Sequence, residues 1–139
     1  MFKRKRVKAV NIERLDELKS LAAEGKPILI DFWKAGCQPC RTMEGVVDEL
    51  AAEFGDAAHV VKIDVGRVPG AVEQFRIQST PTFVILARSQ KAPSKKARQR
   101  AAKAGAPQKR TYSPRWRGSG LIRKDVLEQA LVSNGATRD

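Results

Sequence analysis

The chain has 139 residues, 42% of them hydrophobic, which suits a single domain over residues 1–139 built around one core. No apolar run approaches the roughly 18 residues that a membrane-spanning helix needs. The basic start "MFKRKRVKAV" lacks the apolar stretch of a secretory signal, and Glu13 and Asp16 argue against an organelle transit peptide. We therefore expect a cytoplasmic monomer without membrane contact, in a compartment where cysteines are normally reduced.

The net charge of +12 is unevenly distributed along the chain. No acidic residue occurs between Glu73 and Asp125, and that stretch contains fourteen Lys and Arg. The remaining residues carry thirteen basic and fifteen acidic groups. We therefore expect a nearly balanced domain with a basic N-terminal tip over residues 1–8 and a basic, flexible insertion at about residues 88–114.

The N-terminal half alternates strand and helix patterns. Residues 7–10 predict a short strand, and the apolar stripe over residues 12–22 predicts a helix with Asn11 as its N-cap. "ILIDFW", residues 28–33, is an apolar run broken by one acid, which is typical of a buried central strand. The apolar spacing of residues 43–54 predicts the clearest amphipathic helix in the chain.

The C-terminal half continues the alternation. "HVVKID", residues 59–64, predicts a second core strand, and Pro69 suits the first turn of a short helix. "TFVIL", residues 82–86, predicts a third strand, and "RWRG", residues 115–118, resumes the sheet after the insertion. A last helix is predicted around residues 126–131. This order indicates an α/β fold with helices on both faces of a central sheet.

The only two cysteines, Cys37 and Cys40, lie where a predicted strand meets a predicted helix. A cysteine at a helix start is close to unpaired N–H groups and to the positive end of the helix dipole, and both stabilise a thiolate. The second cysteine follows one turn later on the same face, and Pro39 stiffens the first turn. The spacing predicts Cys37 as the nucleophile and Cys40 as the resolving thiol of a dithiol–disulfide centre.

Two other interpretations of the cysteine pair stay open at this point. A structural zinc site usually needs four Cys or His ligands, and the chain offers only His59 besides the pair. Cysteines also pack as ordinary core residues, although two that flank a proline at a strand–helix junction make a poor core. The redox interpretation is favoured, and it requires neither a metal nor a cofactor.

Two further features favour redox chemistry. Asp31 interrupts a buried strand, where a carboxylate is costly and its pKa is raised. We expect Asp31 to lie beneath the cysteines with Lys62 as its partner and to accept the proton of Cys40; the alternative is that Asp31 faces solvent at the sheet end. In "STPTF", Pro81 begins a strand, where a cis bond would leave the Thr80 backbone available to an extended substrate.

These motifs together resemble the thioredoxin family. The matching segments are "ILIDFWKAGCQPC", "VVKID", "VPGAVEQFRIQSTPTF" and "LIRKDVLEQAL", in the order that the family has them. The resemblance implies a thioredoxin-like fold with a central mixed sheet, and a protein-disulfide reductase that receives electrons from a flavoenzyme thioredoxin reductase. It also implies the same roles for Cys37, Cys40, Asp31 and Lys62, and a cis-proline at Pro81.

The chain departs from the usual W-C-G-P-C motif of the family. Gly36 replaces the Trp, which removes apolar surface for partners, and Gln38 replaces the Gly beside the thiolate. Gly45 stands where the family often has a helix-kinking proline. We expect the substrate-binding surface to include Trp33, Gly36, Gln38, Pro39, Thr80 and Pro81.

The basic insertion contains "SKKARQRAAKAG", residues 94–105, which predicts a short helix capped by Ser94 and ended by Gly105. One interpretation is a solvated loop, because so short and charged a helix is marginal alone. The other is an arm that binds nucleic acid or an acidic partner; Tyr112 and Trp116 flank it and could stack on bases, although for Trp116 we favour packing against the sheet. The alternative function is therefore a polyanion-binding module on a thioredoxin scaffold, with the dithiol secondary.

Overall fold

The computed structural model of the protein describes residues 8–89, 94–105 and 111–137. In these ranges five strands form one mixed sheet in the order β1-β3-β2-β4-β5. The strands are β1 (Val10–Asn11), β2 (Ile28–Trp33), β3 (His59–Asp64), β4 (Thr82–Arg88) and β5 (Tyr112–Ser119). β3 is parallel to both β1 and β2, whereas β4 is antiparallel to β2 and β5. The predicted mixed α/β sheet is confirmed.

Five α-helices occur in the described ranges, and four of them pack on the faces of the sheet. They are α1 (Glu17–Ala22), α2 (Gln38–Phe54), α3 (Ala71–Phe75), α4 (Lys95–Lys103) and α5 (Lys124–Ser133), with a 3-10 turn at Gly55–Ala57. α2 and α5 pack on one face, called the α2 face below, and α1 and α3 pack on the other. No helix in the described ranges has the length and apolarity that crossing a membrane would require.

The central strand β2 explains the continuous apolar run in the sequence, because it is buried on both faces. Ile28, Ile30 and Phe32 join the core beside α1 and α3, whereas Leu29 joins the core beneath α2. Residues two apart in a strand share a face, so Asp31 lies on the α2 face with Leu29. The pleat therefore directs this one acid toward the helix that begins at the cysteines.

The first helix begins later than the sequence predicts. Asn11 is not an N-cap: it lies in β1, and its side-chain oxygen accepts a hydrogen bond of 2.9 Å from the indole Nε1 of Trp33. α1 starts at Glu17, whose carboxylate accepts the backbone N–H groups of Glu13 and Arg14 at 2.7 and 2.9 Å. These two bonds hold the preceding residues in a turn instead of a helix.

The sheet extends further into the basic region than the predicted insertion allows. β4 continues to Arg88, which pairs with Tyr112, so the connection between the two strands comprises residues 89–111. The Tyr112 hydroxyl donates a hydrogen bond of 2.9 Å to the backbone oxygen of Lys26. Trp116 packs against the core of the α2 face. Both aromatic side chains are therefore parts of the domain and not of an arm.

Helix α4 forms within that connection as the sequence predicts. The Ser94 hydroxyl caps it by accepting the N–H of Ala97 at 3.1 Å, and Gly105 follows it with a left-handed φ of 65°. No residue of α4 is buried, so the helix does not contribute to the core. α2 runs without interruption from Gln38 to Phe54, through Gly45.

Candidate active site

A disulfide joins Cys37 and Cys40 at the start of α2, with their Cα atoms 5.3 Å apart. Cys37 is the N-cap residue, in an extended conformation, and its Sγ accepts the backbone N–H of Cys40 at 3.3 Å. Pro39 lies in the first turn, where the missing N–H of proline leaves no helical bond unmade. The predicted placement of the pair at a helix N-terminus is confirmed.

The loop before β4 brings a second donor to Cys37. The Thr80 hydroxyl donates to the Cys37 Sγ at 3.4 Å, and the Thr80–Pro81 bond is cis, as predicted. The Thr80 carbonyl oxygen lies 3.5 Å from the same sulfur, which has no proton to donate while the disulfide is intact. After reduction, the hydroxyl and the Cys40 N–H would both favour the thiolate of Cys37. The sequence pattern indicated a role for the Thr80 backbone but not for its hydroxyl.

Solvent exposure does not show which cysteine is the nucleophile, because Cys37 is 7% and Cys40 6% exposed. The hydrogen bonds do distinguish the two cysteines, since only the Cys37 sulfur lies at the end of the helix and accepts from two donors. Gly36, before the pair, is exposed and left-handed with a φ of 78°, and an added Cβ there would meet no atom within 4 Å. Gln38 and Pro39 are also exposed. The residues beside the disulfide are therefore exposed on this side, although the two cysteines themselves are nearly buried.

Asp31 is buried beneath the helix start, and the predicted alternative of a solvent-facing position is wrong. It is 1% exposed and lines a cavity of about 330 Å³ together with Cys40. Burial raises the pKa of Asp31 to about 7; the Lys62 charge opposes this rise, while Glu44 and Asp48 add to it. A carboxyl group with this pKa changes its protonation near neutral pH, next to the cavity that Cys40 shares.

Lys62 lies beside Asp31 in the sheet, but its ion pair is with a residue that the sequence analysis missed. Asp31 and Lys62 are register partners on β2 and β3, whereas the Lys62 Nζ is 3.7 Å from the Glu44 Oε1. The same Nζ lies 5.1 Å from the centre of the Trp33 ring. Glu44 follows Cys40 by four residues, and this helical spacing is the signal that could have identified it.

The predicted site residues thus form two groups around the disulfide. Thr80 and Pro81 lie on the Cys37 side. The cavity on the Cys40 side is lined by Asp31, Trp33, Gly36, Glu44 and Lys62, among others. Within the described ranges no three His, Cys, Asp or Glu side chains are grouped as metal ligands would be. His59, at the start of β3, has its Nε2 3.2 Å from the Glu24 carboxylate.

A dithiol at the start of the helix that follows a central strand, above a buried acid, defines a thioredoxin-type redox protein. Comparison with known families agrees with the geometry. The family model described as thioredoxin matches residues 8–105, which is more than half of the chain. The chain therefore belongs to the thioredoxin family, and the resemblance seen in the sequence is confirmed.

Individual relatives align over the part of the chain that holds the cysteines. Thioredoxin 1 of Synechococcus elongatus is 42% identical over 60 residues, which is 43% of this chain and 56% of that protein. Thioredoxin-1 of Drosophila melanogaster is 38% identical over 73 residues, which is 52% of this chain and 68% of that protein. The chain thus spans between about half and two thirds of the length of the curated relatives it matches.

Solved structures share the fold over nearly the whole chain. A mutant thioredoxin from Halobacterium salinarum superposes with a TM-score of 0.67 at 21% identity, covering 99% of this chain and all of that one. The thioredoxin of Malassezia sympodialis gives a TM-score of 0.66 at 20% identity, with coverage of 97% and 98%. At this identity the superpositions show the common fold.

Proposed function

We propose that this protein is a dithiol–disulfide oxidoreductase that reduces protein disulfides through Cys37 and Cys40. The observation that carries the proposal is the Cys37 sulfur at the N-terminus of α2, where the Cys40 N–H and the Thr80 hydroxyl both point at it. A thiolate at this position is stabilised and remains open to a substrate.

The exchange takes two steps. The Cys37 thiolate attacks one sulfur of the substrate disulfide, forms a mixed disulfide and releases the other sulfur as a thiolate. The Cys40 sulfur then attacks the Cys37 Sγ, which reforms the 37–40 disulfide and releases the second substrate sulfur. The substrate gains two electrons, and the protein loses them.

The second step needs a deprotonated Cys40, and Asp31 is the group that we assign to accept its proton. Both residues line the same cavity, and the pKa of about 7 matches a base that acts at neutral pH. Lys62 belongs to the same cavity and keeps a positive charge near the carboxylate. We assign Lys62 an electrostatic role beside the Asp31 carboxylate and no role in proton transfer.

The substrate would lie along the exposed rim of the disulfide. An extended segment would pair with the backbone of Thr80 beside Pro81, and Gly36, Gln38 and Pro39 would contact it from the other side. Trp33 would contact the substrate from the cavity on the Cys40 side, where the hydrogen bond to Asn11 holds its indole in place. The partners would be disulfide-containing proteins and, as electron donor, a flavoenzyme thioredoxin reductase, with a monomer acting in the cytoplasm.

A pair of cysteine variants tests the proposed function. With reduced protein and insulin as the disulfide substrate, Cys40→Ser should accumulate a mixed disulfide through Cys37, and Cys37→Ser should form none. Iodoacetamide at about pH 7, where an ordinary thiol is mostly protonated, should label Cys37 first in the wild type. Trapping by the Cys37→Ser variant, or preferential labelling of Cys40, would contradict the assignment.

One observation favours a second function. None of the nine residues of α4 is buried, five of them are Lys or Arg, and none is acidic. A capped, cationic helix outside the core suits contact with a polyanion. We propose nonspecific binding of single-stranded nucleic acid by this helix as an accessory to the redox function.

A further inference from the structure

We propose that Glu44 is a positioning residue that controls the protonation of Asp31 by pairing with Lys62. The inference rests on the proposed role of Asp31 as the base for Cys40, and it extends the redox site to a residue on the outer surface of α2. Glu44 itself contacts neither the substrate nor a sulfur in this assignment.

The first support is the geometry of the cavity on the Cys40 side. Glu44 lies one helical turn beyond Cys40, and both line the cavity of about 330 Å³ that contains Asp31 and Lys62. The Glu44 carboxylate is 3.7 Å from the Lys62 Nζ. The Lys62 side chain is 11% exposed and that of Glu44 is 59% exposed, so the pair connects the buried side of the cavity to solvent.

The second support is the position of Lys62 between two carboxyl groups. Its backbone is in register with Asp31, and its ammonium is drawn toward Glu44 and the Trp33 ring. A lysine charge favours the ionised form of a neighbouring acid, and a carboxylate paired with that lysine cancels part of this effect. Glu44 therefore keeps Asp31 a stronger base than Lys62 alone would allow.

The other charged groups around the cavity do not replace this effect. Lys34 and Arg41 line the cavity but are exposed to solvent. Asp48, one turn further along α2, also raises the pKa of Asp31, and its carboxylate accepts the backbone N–H of Ala9 at 3.0 Å. Of Glu44 and Asp48, only Glu44 is within ion-pair distance of Lys62.

The consequence is a shift in the pH dependence of the second step. In Glu44→Gln the Lys62 charge is no longer compensated, so the pKa of Asp31 should fall by about half a unit to one unit, a modest shift because Glu44 is exposed. Resolution of the mixed disulfide should then begin at lower pH. Its rate should also reach a lower plateau, because a weaker base accepts the Cys40 proton less readily.

The test is a carbon-13 NMR titration of the Asp31 carboxyl in the full chain, with Asp31→Asn identifying the signal. Glu49→Gln is the matched control, because Glu49 lies on the same helix and pairs with Lys124 at 3.0 Å, away from the cavity. We expect a lower pKa of Asp31 in Glu44→Gln and an unchanged one in Glu49→Gln. The shift should shrink when Lys62→Met is combined with Glu44→Gln.

Three results would overturn the proposal: an unchanged Asp31 pKa in Glu44→Gln, an equal shift in Glu49→Gln, or a full shift in the Lys62→Met background. The titration reports on Asp31 whether or not the protein reduces disulfides. If the pKa falls but the pH profile of mixed-disulfide resolution does not move, the role of Glu44 stands and the assignment of Asp31 as the base for Cys40 fails.

Discussion

At the scale of single residues, the burial of Asp31 couples the stability of the protein to pH. The ordinary pKa of the group is 3.8, and the folded state raises the pKa to about 7. Between these values the folded protein keeps a proton that the unfolded chain has lost. The free energy of unfolding therefore decreases as the pH rises through this window, and the loss is complete above it.

The substitution Asp31→Asn removes this dependence. Near pH 8 the variant should be more stable than the wild type, by at most about 4 kcal/mol, because each unit of pKa shift corresponds to about 1.4 kcal/mol. Near pH 4 the difference should vanish, because the wild-type carboxyl is then protonated as well. Urea unfolding of both oxidised proteins at several pH values measures the effect. A gain of equal size at every pH would show that ionisation of Asp31 is not its source.

The same substitution should slow the second step of disulfide exchange. The asparagine amide cannot accept the Cys40 proton, so mixed disulfides with insulin should persist longer above pH 7, where the wild-type base is ionised. Single-turnover kinetics with rapid acid quenching measure the lifetime. A lifetime equal to that of the wild type would remove Asp31 from the reaction.

Residues with an unusual chemical setting could be predicted from the sequence, and residues with an ordinary one could not. Asp31 stands out because an acid is costly in an apolar strand, and Cys37 because a close cysteine pair at a helix start is rare. Glu44 is one of several glutamates on a helix surface, and only the register of β2 and β3 shows which lysine it meets. The Thr80 hydroxyl likewise depends on a contact across the fold.

At the scale of secondary structure, two of the three strands with apolar runs, β2 and β3, were predicted to the residue, whereas β4 extends two residues beyond the predicted strand. The bounds of β2 and β3 are those of "ILIDFW" and "HVVKID". The start of α1 was missed because Asn11 is held by the Trp33 indole, a partner 22 positions away in the chain. Local capping preferences cannot anticipate such a bond, since they describe only the nearest residues.

The continuity of α2 through Gly45 leads to a prediction about stability. Gly45 is exposed, has no positive φ, and an added Cβ would meet no atom within 4 Å. Gly45→Ala should therefore raise the free energy of unfolding by about 0.5–1 kcal/mol, because alanine loses less backbone entropy in a helix. Urea unfolding of the oxidised protein measures this change.

Gly36→Ala is the matched control for this comparison. Its added Cβ would also meet no atom within 4 Å, but the residue is left-handed, with a φ of 78°. The control should lower the stability, because alanine is strained in that conformation. Stabilisation by both substitutions, or by neither, would mean that backbone conformation does not decide the outcome at these glycines.

At the scale of the whole molecule, the order of elements could be predicted, but the extent of the last two strands could not. The basic residues near Arg88 and Tyr112 lack the apolar pattern of a core strand, because β5 lies at the sheet edge and has no buried residue. Tyr112 also contacts Lys26 and the Arg88 side chain. A cut through the insertion must therefore leave β4 and β5 complete.

Replacement of residues 90–110 by a short glycine-containing turn should leave a folded, active reductase. The replaced segment contains eight Lys and Arg and no acid, so the net charge falls from +12 to +4. α4 has no buried residue, and the pairing from Arg88 to Tyr112 is retained. Thermal unfolding should stay cooperative, and reduction of insulin should proceed at the wild-type rate. Loss of folding would show that the segment is part of the core.

The intact protein should bind single-stranded RNA weakly, and the shortened protein should lose most of this binding. Affinity should fall steeply with salt, because each phosphate contact releases a counterion and contributes about −0.7 to the slope of log K against log salt. Filter binding across a salt series measures both. A full-length variant with Gln at Lys95, Lys96, Arg98, Arg100 and Lys103 separates the charge of α4 from the length of the connection, and it should bind as weakly as the shortened protein. If it binds as the intact protein does, α4 is only a solvated helix, and other basic residues of the chain carry the affinity.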